Sequence, residues 1–176
     1  METVLSLDIL YECPRFNVER AEVRLPNGVV EERWYVSKRD AVGIIAFNDE
    51  HQIILTKEFR SAIASTVWRI PYGGIQLDEA PVEAARRELR EETGLDSGSY
   101  ELVDVIPFPS SWVKQKTHFF RARDLFESPL ESGEFEHIEL VPCGVEETLR
   151  LIAEAQLRTD IAQAVLKAID ISSFRE

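Results

Sequence analysis

"GGIQLDEAPVEAARRELREETGL", residues 73–95, opens on a glycine pair, passes through an acidic loop and then turns to alanines and straight-chain residues. Proline in a first turn and glycine just past a last one punctuate a helix, so the spacing predicts an α-helix from Pro81 to Thr93 that stops on Gly94. Residues three and four apart share a helix face, which puts Glu88, Glu91 and Glu92 on one side. Ala84 and Ala85 fall near that side one turn earlier, small enough to let a loop or strand approach. Like charges at this spacing cost a few tenths of a kcal/mol per pair. A salt-bridged surface helix would carry Lys or Arg four residues after each acid, but Glu88 has Glu92 there and Glu91 has Leu95. A hard divalent cation would relieve the repulsion, sharing its remaining positions between water and substrate phosphates. The competing reading is a solvated acidic face.

The flanks frame this helix with strands. "AEVRL" and "VVEERWYV" stand on either side of Pro26-Asn27-Gly28, a strong hairpin signal. "VGIIAF" and "QIILTKEF" surround Asn48-Asp49-Glu50 and predict a second hairpin in the most β-branched, central part of the chain. "WRIPYGG" reads as a strand end running into a loop, and "YELVDVIPF", "KTHFFRARDL" and "HIELVPC" as later strands. "VEETLRLIAEAQL" and "DIAQAVLKAI" are amphipathic helices, the second repeating Ile161, Val165 and Ile169 every four residues. The sum is an α+β domain with a mixed or antiparallel sheet.

A chain of 176 residues suits one domain. Its net charge of −12 argues against broad binding to nucleic-acid backbones or anionic membranes, which need a basic face. An anionic small substrate remains compatible, because bound cations invert the local sign. Cys13 and Cys143 show no metal-ligand spacing and read as two buried free thiols of a reducing compartment. No basic-then-apolar leader opens the sequence, and "AVGIIAF" at 41–47 is too short to span a bilayer, so the expectation is a cytoplasmic protein.

Gly73, Glu79, Arg87, Glu88, Leu89, Glu91, Glu92, Gly94 and Leu95 together resemble the Nudix box, G-x5-E-x7-R-E-U-x-E-E-x-G-U with U a bulky aliphatic residue. Every fixed position is matched. The resemblance implies a Nudix α/β/α sandwich with a mixed sheet, in which a loop–helix–loop carries magnesium-dependent hydrolysis of a nucleoside diphosphate linked to another group. Manganese is a possible substitute for magnesium. Position by position, Glu88 and Glu92 resemble the principal metal ligands, Glu91 a further ligand or a base, and Tyr72 the residue lending its carbonyl to the metal. Arg87 and Glu79 resemble the residues that orient the cluster. Gly73 and Gly94 would turn the backbone sharply into and out of the helix.

Outside the box the chain is loosely similar to the ADP-ribose and nucleoside-diphosphate-sugar pyrophosphatase branch of the family. That likeness implies an N-terminal strand region over 1–38 that pairs in a homodimer, a core over 39–144 and C-terminal helices over 145–176. It implies Arg60 of "TKEFR" as a substrate contact, Pro109 as a branch marker, and Glu136 or Glu134 as general base. The products would be a nucleoside monophosphate and a sugar phosphate. Trp112 is the candidate for stacking on a base, whereas Trp68 reads as core. His51, His118 and His137 lack metal spacing, and Lys114 and Lys116 read as a solvated loop.

Two departures stand out. Arg69-Ile70-Pro71-Tyr72-Gly73 replaces the branch's usual E-L-P-A-G, so an acid has become a base, and Lys114 and Lys116 follow "PSSW" where acids are common. Both point to a substrate with more negative charge or a different sugar. "WRIPYGG" is also similar to the W-x-x-P-x-G-G of dinucleoside-polyphosphate and RNA 5′-pyrophosphate hydrolases. An enzyme of that kind, or one acting on nucleoside triphosphates, is the first alternative; a non-catalytic nucleotide-binding module of the same fold is the second.

Overall fold

The computed structural model describes residues 1–130 and 138–169. Three strands open the chain, β1 (Thr3–Glu12), β2 (Asn17–Arg24) and β3 (Val30–Ser37), followed by β4 (Ala41–Ala46), β5 (Ile53–Arg60), β6 (Ser65–Arg69) and β7 (Tyr72–Gly74). Helix α1 (Pro81–Thr93) leads into β8 (Leu95–Pro107), β9 (Val113–Lys114), β10 (Lys116–Glu127) and β11 (Ile138–Cys143), and α2 (Val145–Ala153) and α3 (Thr159–Ala168) close the described chain. The predicted helix bounds at Pro81 and Thr93 are those observed, and Gly94 takes the left-handed φ of +73° that caps the helix.

The strands form three sheets, ordered β1-β2-β3-β9, β7-β4-β10-β8 and β11-β5-β6. The second is mixed: β10 runs parallel to β4 and antiparallel to β8. Alternation along β4 explains the layering. Val42, Ile44 and Ala46 face α1 through Ala84, Ala85 and Leu89. Ile45 joins Phe119, Ile161 and Val165 on the α3 side. A strand buried on both faces reads as a continuous apolar run, as "AVGIIA" does. Burying a side chain such as Leu89 fully contributes about 1.5–3 kcal/mol.

The Asn27-Gly28 hairpin joins β2 to β3, with Arg24 opposite Val30 and Gly28 at φ +86°. The expected hairpin at Asn48-Asp49-Glu50 is not a ladder within one sheet. A single bridge links Phe47 to Ile53, and Oδ1 of Asn48 accepts from the N–H groups of Glu50 and Gln52. Beyond this corner β5 leaves β4, whose two edges are taken by β7 and β10, and pairs with β6 and β11. Within the N-terminal strand region expected over 1–38, β1 lies at the edge of its sheet with every residue exposed, Leu7, Ile9 and Tyr11 among them. No helix among the described residues is long and apolar enough to cross a membrane.

Candidate active site

Strand β7 brings the loop backbone onto α1. A Cβ on Gly73 would stand 2.0 Å from Cδ of Glu88, so any side chain there would push the Glu88 carboxylate out of its present position. Gly73 has no left-handed φ; its role is proximity, not the sharp turn expected of it. One residue earlier, the Tyr72 N–H donates to Oε2 of Glu92 at 3.1 Å. These contacts draw the strand end and the acidic face of α1 into one site.

Arg87 organises the carboxylates. Its Nε and Nη2 donate to Glu79 at 2.8 and 3.0 Å, Nη2 also reaches the Gly74 carbonyl at 2.9 Å, and Nη1 donates to Glu88 at 2.6 Å and Glu91 at 3.0 Å. The acid run therefore does have a compensating cation, but it lies four residues before Glu91 and not after. Hydrogen bonding to Glu79 foremost holds the Arg87 guanidinium well above its ordinary pKa, and the same bond lowers that of Glu79.

Glu92 is different. Burial pushes its carboxyl up to about 9, with the Glu88 and Glu58 charges adding and the Tyr72 N–H opposing. A hard cation beside it would favour the carboxylate form instead. Among the described residues no three acidic, His or Cys side chains already converge in metal-ligand geometry, since Arg87 engages Glu88 and Glu91 while Glu92 turns to Tyr72. Three oxygen-donor side chains on one helix face, one of them half-buried and destabilised as an anion, suit a hard divalent ion once the carboxylates reorient.

The cluster forms one end of a cavity of about 1360 Å³. Arg60 lines it and pairs with Glu58 at 2.5 Å. Glu58, 3% exposed, also takes Arg69 at 3.0 Å, so Arg69 has its own buried counter-ion. Arg69 and Arg158 each lie over the Tyr72 ring, at 4.7 and 4.8 Å, and Asp160 receives Nε and Nη2 of Arg158 at 2.6 and 2.8 Å. Neither Glu58 nor the Arg158–Asp160 pair was singled out from sequence. The available signal was an acid inside the strand-like "TKEFR" and another at the start of an apolar helical face.

Trp112 lies outside the cavity, 58% exposed, with its carbonyl accepting from Val36. Trp68 lines the cavity, packs partly against the core and lies under Nζ of Lys57 at 4.2 Å. Lys114, read as solvated, pairs with the buried Glu19 at 2.6 Å and covers Tyr35. Glu134 and Glu136 lie outside the described residues.

A sequence model of the family described as "NUDIX domain" matches residues 37–163. The chain belongs to the Nudix family. The match runs from the end of β3 into α3 and takes in all three clustered glutamates. The ADP-ribose pyrophosphatase of Bacillus subtilis (strain 168) is 31% identical over 138 residues, 77% of this chain and 75% of that protein. The ADP compounds hydrolase NudE of Escherichia coli (strain K12) is 30% identical over 141 residues, 79% of this chain and 75% of that one. A crystal structure of an ADP compounds hydrolase superposes with a TM-score of 0.82 at 24% identity, covering 99% of this chain and 95% of its own, and shares the Nudix fold.

Proposed function

We propose that this Nudix protein is a magnesium-dependent pyrophosphatase that splits a nucleoside diphosphate linked to a sugar, ADP-ribose or a close relative, into a nucleoside monophosphate and a sugar phosphate. The observation that carries this reading is the acidic face of α1 pressed against Tyr72 and Gly73 at the end of a large cavity. The names of the Bacillus subtilis and Escherichia coli relatives supply the substrate class.

In this reading Glu88, Glu91, Glu92 and the Tyr72 carbonyl would hold the metal. Magnesium, or manganese in its place, supplies charge neutralisation at the phosphates and a lowered pKa for the attacking water. Arg87 keeps Glu79, Glu88 and Glu91 in register, and Arg60 contacts the substrate. Glu136 or Glu134 serves as general base, taking the proton as a new P–O bond forms and the bridging P–O bond breaks.

The same reading treats the chain as one domain, with strand region 1–38 carrying a homodimer contact, core 39–144 and C-terminal helices 145–176, at work in the cytoplasm. Support for the dimer comes from β1, an edge strand with Leu7, Ile9 and Tyr11 about half exposed.

The test is a screen of nucleotide substrates with magnesium and product separation. AMP plus a sugar phosphate supports the reading. Release of inorganic phosphate or pyrophosphate instead replaces it with the polyphosphate-hydrolase alternative, and binding without turnover replaces it with the non-catalytic one.

A further inference from the structure

Most cations on the cavity wall already have partners. Arg87 is held by Glu79, Glu88 and Glu91, Arg158 by Asp160, and Arg60 and Arg69 share Glu58. Arg15, Lys38 and Arg39 also line the cavity, yet none of them has an ion-pair partner among the described residues. The chain has 32 acids against 20 Lys and Arg, so counter-ions are plentiful. All three are solvent-exposed, and cations that line one cavity without a counter-ion add positive potential to it.

The backbone beneath them is fixed. Arg15 sits in the turn between β1 and β2, closed by the Cys13 N–H donating to Phe16 at 3.1 Å. Lys38 and Arg39 connect β3 to β4. The Lys38 N–H donates to the Lys114 carbonyl at 3.0 Å, and the Arg39 carbonyl accepts from Nε2 of Gln115 at 2.9 Å. The N-terminal sheet thus brings two separate connections to one rim, facing the same space as the acidic end.

Resting on the pyrophosphatase reading above, we propose that Arg15, Lys38 and Arg39 form an anion subsite for a phosphate of the substrate beyond the two flanking the scissile bond. Metal at the acidic end accounts for the scissile pair, and the three unpaired cations match the charge of a further phosphate. That phosphate has two chemical sources, a third one in the bridge or a monoester on a sugar, and both present the same group to the wall.

The experiment is calorimetric binding with calcium in place of magnesium, comparing ADP-ribose, 2′-phospho-ADP-ribose and diadenosine triphosphate. Wild type binds at least one of the two extra-phosphate ligands about tenfold or more tighter than ADP-ribose, and the advantage shrinks as salt rises. The variant combining Arg15→Gln, Lys38→Gln and Arg39→Gln loses that ratio. The single variants Lys38→Gln and Arg39→Gln, read the same way, each lower it and serve where the triple variant fails to fold. Which ligand gains distinguishes the bridge phosphate from the monoester. A wild-type preference below about twofold, or a ratio unchanged in the variants, overturns the proposal. Absence of turnover with magnesium would instead count against the pyrophosphatase reading, and the binding ratio would still be readable.

Discussion

Gly73 and Glu88 meet so closely that a Cβ on the glycine would lie within 2.1 Å of both carboxylate oxygens. The strand end and the acidic helix share one small volume, and the site depends on a missing methyl group. Gly73→Ala therefore displaces either β7 or the Glu88 carboxylate. Metal-dependent hydrolysis should fall by about a hundredfold or more, because misplacing a reacting group by about 1 Å has that effect. Steady-state kinetics beside a circular-dichroism check of folding reads this, and near-normal activity would mean that Glu88 does not need its present position.

Glu92 should show opposite effects on stability and activity. Its half-buried carboxyl takes up a proton at about 9 instead of the ordinary 4.5, so between those values the folded state binds more protons than the unfolded chain. Stability of the metal-free protein from this group is therefore highest below the lower value and falls as pH rises through the window. Glu92→Gln removes the charge and should flatten that slope, stabilising metal-free protein by roughly 1–3 kcal/mol at about pH 8 while abolishing hydrolysis. Urea unfolding with chelator at about pH 5 and 8 makes the comparison.

Arg87 holds three carboxylates and one carbonyl, and removing it leaves partly buried acids without a partner. Arg87→Ala should destabilise by about 3–5 kcal/mol and eliminate activity. Arg87→Lys keeps the charge but not the fork, and should recover a part of the stability and little of the activity. Thermal unfolding and initial rates measured on both variants separate charge from geometry.

Edge strand β1 offers a test of assembly. Leu7→Glu together with Ile9→Lys places charges among its exposed apolar side chains, and should convert a dimer to monomer in light scattering after size exclusion. A monomeric wild type would remove the dimer from the account.

Much of the site was legible because it is local. Pro81, Gly94 and the spacing of Glu88, Glu91 and Glu92 fix a helix and its face without reference to the rest of the chain. What escaped is set by partners distant in sequence. The Asn48 corner satisfies hairpin rules, yet β5 pairs with β6 and β11 because β7 and β10 already occupy the edges of β4. Lys114 looked solvated until Glu19 met it from the N-terminal sheet, and Trp112 looked like a stacking residue until β9 placed it beside β3 and away from the cavity. Arg87 was read as an orienting residue by its likeness to the family, while its bond to Glu91 was missed because compensation was sought only on the far side of each acid.

The most direct test is to incubate the purified protein with ADP-ribose and magnesium in 18O-water and analyse the products by mass spectrometry, beside a chelator-treated sample and Glu92→Gln. The expected result is AMP and a sugar phosphate, one of them carrying a single 18O, in the magnesium sample alone. Intact ADP-ribose in that sample, or equal product in the chelated one, would contradict the assignment of α1 as the metal-bearing helix of a nucleoside-diphosphate-sugar pyrophosphatase.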